Sequence, residues 1–105
     1  VLNDLEPLSK KIEHVPSEKI IIWDGALSPG YGQIGPAAFG AMKMMARAEG
    51  LILDPVYTAK VFAAIPALVE AGDIAQGSKV LFIHTGGLAS LFAYQTQIAE
   101  LIATS

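Results

Sequence analysis

The chain has 105 residues, of which 52% are apolar and only 16% charged, with a formal net charge of −3, two histidines and no cysteine. Disulfides and thiolate metal sites are thereby excluded, and an acidic chain whose seven basic residues form no stripe is a poor partner for nucleic acid. So apolar a composition in so short a domain predicts a piece of a larger body or an obligate oligomer.

No apolar run approaches the roughly 20 residues a bilayer core requires. Asp4 and Glu6 stand where a secretory leader would be basic. His14 and His84 lack the carboxylate company of a metal site. The expectation is a cytoplasmic protein with no metal, no membrane and no nucleic-acid partner.

In chain order, residues 1–15 place Leu5, Leu8 and Ile12 at helical spacing around Pro7, which predicts a short helix. The run "KIIIWD" (19–24) is apolar and β-branched, the pattern of a strand buried on both faces. "GALSPGYGQIGP" (25–36) holds four glycines and two prolines and reads as a loop of a length that is often functional. A helix follows from Ala37 to Glu49, with Ala38, Met42, Met45 and Ala46 on one face, stopped by Gly50. The methionines read as core filler.

After "LIL" (51–53), Asp54 has N-cap chemistry and Pro55 suits a first helical position. Val61, Ile65, Leu68 and Val69 are expected to give this second helix its buried face, Pro66 is expected to bend it, and "AGD" ends it. "KVLFIH" (79–84) reads as another buried strand, followed by "TGG" and a helix from about Leu88 to Ile102. The order is that of an α/β protein with a parallel sheet, whose strands here are too few to close it.

In such sheets ligands bind beyond the carboxyl ends of strands, near helix N-termini. That rule brings Tyr31, Tyr57, Thr58 and Thr85 to one rim. Each has a plainer reading. Gly86-Gly87 forms neither a dinucleotide fingerprint nor a P-loop and suits a tight turn. Tyr57 reads equally as a core aromatic and Thr58 as a helix-start residue; Asp54 is a cap before it is a catalyst, and His84 a satisfied histidine before it is a base. Spacing alone reaches a ligand site at a sheet edge.

The strings "PGYG", "ARAEGLILDPVYTAK" and "KVLFIHTGG" with "LFAY" resemble the C-terminal part of the D-cysteine desulfhydrase and 1-aminocyclopropane-1-carboxylate deaminase family. These are pyridoxal-phosphate enzymes of the tryptophan synthase β fold type. The resemblance spans about residues 20 to 94. It implies a three-layer parallel sheet flanked by helices, of which residues 1–105 would be the C-terminal part of the larger cofactor-binding domain. It also implies a homodimer in the full-length enzyme. By motif, Tyr57 matches a tyrosine against the cofactor ring and Thr58 the residue facing the pyridine nitrogen. Thr85, with Gly86 of the same "HTGG" string, and Tyr31 match residues lining the cofactor and substrate space. Tyr57 and Tyr31 are then the candidate catalytic residues, and Thr58, Tyr57, Thr85 and Gly86 the candidate cofactor-binding ones.

In the deaminase branch, glutamate typically follows the tyrosine and leucine the histidine. Threonine stands at both positions here, as in the desulfhydrases. A carboxylate would keep the pyridine nitrogen protonated, whereas a neutral hydroxyl can donate to an unprotonated one. The weaker electron sink suffices for β-elimination. The implied substrate is a small β-substituted amino acid: D-cysteine, giving pyruvate, sulfide and ammonia, with L-cysteate or the cyclopropane acid as alternatives. "YGQIGP" and "GGLAS" depart from the commoner strings and leave the substrate open. No lysine lies in a motif matching the Schiff-base lysine, and Lys60 and Lys79 read as solvated. The expectation is a fragment that is inactive alone, or a non-catalytic structural or interaction module.

Overall fold

The computed structural model describes residues 14–105. The helix expected near the start of the chain lies almost wholly outside them. Among the described residues three α-helices follow one another: α1 (Pro36–Glu49), α2 (Thr58–Ala71) and α3 (Gln95–Ala103). Short 3-10 turns stand at Ser17–Lys19 and Leu88–Phe92.

Local chemistry explains the helix ends. Pro36 opens α1, where its missing N–H costs nothing. Gly50 closes it at φ 66°, in the left-handed region that a side chain would resist, and its N–H returns to the carbonyl of Met45. Gly72 closes α2 in the same way at φ 84°. Pro66 lies inside α2, which continues through it to Ala71. The second helix starts later than expected: residues 55–57 form a turn, and regular helix begins at Thr58. The third is split by the 3-10 turn, so that only its latter part is α-helical.

The core is small and rich in alanine. Ala38, Ala41 and Met45 of α1 meet Ala59 and Ala63 of α2, with Ala26 and Leu53 completing the buried cluster. Small side chains let the two helices approach closely, and this pair is the main helix–helix contact among the described residues. The buried face of α2 is therefore not the expected one. Val61 is exposed, and Ile65, Leu68 and Val69 are half-buried, because the alanine face packs against α1. Leu53 is fully buried, worth about 2–3 kcal/mol by transfer. It fixes the short segment that delivers Asp54 to the start of α2.

The expected three-layer parallel sheet is not present. Among the described residues there is no strand: apart from Lys19, which ends a 3-10 turn, 19–24 runs without regular structure, as does 79–84. An apolar β-branched run shows only that a segment suits a sheet; the ladder needs a neighbour about 4.8 Å away. Neither run has one, and Ile22 and Leu81 are 92% and 88% exposed. The second run is held by side chains instead. Phe82 meets Phe62 edge-to-face with centroids 5.4 Å apart, and His84 bonds the carbonyl of Ile52.

Candidate functional site

Asp54 is the organising residue at the start of α2. One carboxylate oxygen accepts the N–H groups of Val56 (2.8 Å) and Tyr57 (2.9 Å). The other accepts the N–H of Thr58 (2.8 Å) and its hydroxyl (2.6 Å). The Asp54 N–H in turn donates to Thr58 Oγ1 at 2.8 Å. Both residues are buried. Burial pushes the Asp54 carboxyl up, but the bonds from Thr58, Tyr57 and Val56 outweigh it and leave it below the ordinary 3.8. Asp54 is thus a cap, as its position suggests, though it caps a helix beginning four residues later.

The same knot alters the expectation for Thr58. Its proton is already given to Asp54, so donation to a ring nitrogen would require that bond to be surrendered. No property of the string "DPVYT" reveals this, because the return of Asp54 onto Thr58 depends on the turn at 55–57.

Tyr57 lies at the N-cap of α2 and reaches outward, 54% exposed. Its hydroxyl meets that of Tyr31 at 2.6 Å, with ring centroids 6.1 Å apart in an edge arrangement. In such a pair one phenol donates and the other keeps a proton for a ligand. The hydrogen bond to Tyr31 and charge repulsion with it raise the Tyr57 phenol above its ordinary 10.0; desolvation, Asp54 and Tyr94 act in the same direction. Tyr94 donates its hydroxyl to the carbonyl of Gly32 at 2.6 Å. It was not among the residues singled out from sequence, although the "LFAY" string contains it. Lys60, expected to be solvated, is buried and donates to the carbonyl of Gly30 at 2.6 Å.

The "HTGG" turn comes up beside Asp54. The Gly86 N–H donates to His84 Nδ1 at 3.1 Å, which places the ring proton on Nε2, 2.9 Å from the carbonyl of Ile52. His84 is therefore satisfied structurally, though exposed. A Cβ on Gly87 would lie 2.8 Å from the Asp54 carboxylate, so the turn reaches Asp54 only because that Cβ is absent. Thr85 is exposed on this turn, and Gly86, at φ 96°, has open space where a side chain would stand. The structure thus joins Tyr31 to Tyr57, and Thr58 to the 85–87 turn through Asp54; it records no direct bond from Thr85 to either tyrosine.

A groove of about 400 Å³ along α3 contains none of these residues. It is lined by Leu91, Phe92, Ile98 and Ile102 with only Gln95 as a polar side chain, so it has little with which to orient a ligand. The candidate site is the open face formed by the tyrosines, the start of α2 and the glycine turn. Half-exposed aromatic rings, hydroxyls and a bare backbone turn suit a flat, polar heterocycle.

Residues 8–86 match the family described as pyridoxal-phosphate dependent enzymes. The match covers well over half of the chain, and the protein belongs to that family, whose members use pyridoxal phosphate. Two features would suit such a cofactor: the exposed ring of Tyr57 offers an aromatic face, and nothing lies within 4 Å of where a Cβ on Gly86 would stand. No group of acidic residues and histidines that could hold a metal occurs among the described residues. None of their helices is long and apolar enough to cross a membrane.

Proposed function

We propose that this chain is the C-terminal part of the cofactor-binding domain of a lyase that eliminates a β-substituent from a small amino acid. The proposed reaction is of the D-cysteine desulfhydrase type, yielding pyruvate, sulfide and ammonia. Pyridoxal phosphate, when bound, supplies the electron sink that makes the substrate Cα proton removable. Tyr57 would lie against the ring and Thr58 would face its nitrogen, while Thr85 and Gly86 would line the cofactor space. One phenol of the Tyr31–Tyr57 pair keeps a proton free of the other, and Tyr31 would offer one to the departing group. To donate to the nitrogen, the Thr58 hydroxyl would give up its bond to Asp54, and the nitrogen would then meet a hydroxyl rather than a carboxylate. This weak coupling favours elimination over ring opening.

The observation that carries the reading is the 2.6 Å bond between Tyr31 and Tyr57, which brings two phenols 26 positions apart together beside the start of α2. The test is to supply the full-length protein with D-cysteine, L-cysteate and 1-aminocyclopropane-1-carboxylate, and to measure sulfide, sulfite and ammonia. Sulfide from D-cysteine is expected. Ammonia from the cyclopropane acid without sulfide from D-cysteine would overturn the proposal in favour of the deaminase, and sulfite from L-cysteate alone in favour of a sulfo-lyase. Failure to bind pyridoxal phosphate would favour the non-catalytic module.

A further inference from the structure

Tyr31 occupies a loop that should not hold still. It is 81% exposed, so burial does not fix it, and it lies between Gly30 and Gly32. Glycine loses more conformational freedom on ordering than any other residue. A hydrogen bond between two exposed phenols is worth little net, because water competes for both groups. Yet the Tyr31–Tyr57 bond is short.

The carbonyls on either side of Tyr31 are each taken by a side chain from a distant part of the sequence. Lys60 Nζ donates to the oxygen of Gly30, 30 positions away, at 2.6 Å. Tyr94 Oη donates to the oxygen of Gly32, 62 positions away, at 2.6 Å. Lys60 follows Tyr57 by three residues at the start of α2, a spacing that places both on one side of a helix. That edge matches the loop residue for residue, Lys60 meeting Gly30 while Tyr57 meets Tyr31. Lys60 is only 8% exposed, and a buried ammonium is costly unless it is hydrogen-bonded. At Gly32 the approach is close enough that an added Cβ would lie 3.2 Å from Tyr94 Oη.

We propose that Lys60 and Tyr94 are positioning residues that clamp the loop on both sides of Tyr31 and so hold its phenol against that of Tyr57. Neither needs to touch substrate or cofactor. The clamp follows from the protein's own contacts and holds whichever amino acid is processed.

Ionisation of Tyr57 reports the phenol contact directly. The groups that act on it are Tyr31 from the loop, Asp54 from the turn before α2, and Tyr94. The experiment is a pH titration of the full-length protein labelled at the tyrosine ring Cζ, followed by NMR, with Tyr57 assigned by its loss in Tyr57→Phe. Tyr31→Phe sets the full displacement. Lys60→Met keeps the length of the side chain without its charge, and each of Lys60→Met and Tyr94→Phe should return Tyr57 toward its ordinary value by at least half that displacement. Lys60→Arg should restore most of the wild-type titration. In the Tyr31→Phe background, Lys60→Met should add nothing, since the contact it protects is already gone. An unchanged Tyr57 titration in both single variants would overturn the proposal. So would an equal shift with Tyr31 already replaced. Should Lys60→Met fail to fold, Tyr94→Phe, which deletes one oxygen and keeps the ring, decides by the part of its shift that disappears in the Tyr31→Phe background, since the charge of Tyr94 also acts on Tyr57 directly; a shift of equal size there would overturn the proposal. Sulfide, sulfite or ammonia release bears on the substrate and leaves this test untouched.

Discussion

Removing the Asp54 side chain should be among the most damaging single truncations at the start of α2. Asp54→Ala abolishes acceptance from three backbone N–H groups and from the Thr58 hydroxyl. Loss of a helix cap costs about 0.5–2 kcal/mol. Leaving the buried Thr58 hydroxyl without its acceptor adds about 1–3 kcal/mol. Together these give a destabilisation of about 1.5–5 kcal/mol. Equilibrium unfolding in urea measures it as a lowered midpoint at unchanged slope. Thr58→Val should cost about 1–3 kcal/mol alone, since the Asp54 N–H loses its acceptor. The double variant should fall short of the sum by about 1 kcal/mol or more, because one contact is counted twice. The pH dependence has a definite sign. A carboxyl held below the ordinary 3.8 contributes stability above that value and loses it as pH falls through the depressed one. The gap between wild type and Asp54→Ala should therefore narrow in acid. A loss below about 0.5 kcal/mol, or strictly additive effects, would refute the view that Asp54 and Thr58 act as a unit.

Gly87→Ala should destabilise by about 2–4 kcal/mol in thermal melts, combining left-handed strain at φ 89° with a Cβ 2.8 Å from the Asp54 carboxylate. Gly50→Ala is the matched control: its φ is 66° but the space is open, so only the strain of about 1–2 kcal/mol should appear. Gly40→Ala, in the interior of α1 with nothing within 4 Å of the added methyl, should raise stability by about 0.5–1 kcal/mol in the same melts. Tyr31→Phe should bring the Tyr57 ionisation down toward 10.0 in an ultraviolet difference titration. Because the Tyr57 phenol is raised, its contribution to stability is present below about pH 10 and disappears as pH rises through the elevated value; Tyr31→Phe should remove that alkaline loss.

The features legible in the linear sequence are those whose causes lie within a few residues of each other. Gly50 as the end of α1, Gly72 as the end of α2 and Asp54 as a cap all depend on backbone groups that the chain itself brings within reach. The loop that begins at Gly25 and the start of α1, expected at Ala37 and found one residue earlier at Pro36, follow from proline and glycine chemistry in the same way. The strings around Tyr31, Tyr57 and Thr85 pointed to pyridoxal phosphate, and residues 8–86 belong to a family that uses it.

Only the tertiary structure decided what meets what. Apolar runs at 19–24 and 79–84 state that a segment seeks burial, but not which neighbour supplies a ladder, and none of the described residues does. Periodicity assigned α2 the wrong buried face, since it weighs apolar bulk while close helix packing selects alanine. Lys60 reads as an ordinary solvated lysine, and Tyr94 as a residue of no special role. Each acquires its place by a bond to a carbonyl 30 or 62 positions away, and a backbone oxygen leaves no mark in the sequence. Composition and spacing specify which groups can bond; the path of the backbone specifies which of them come within 3 Å.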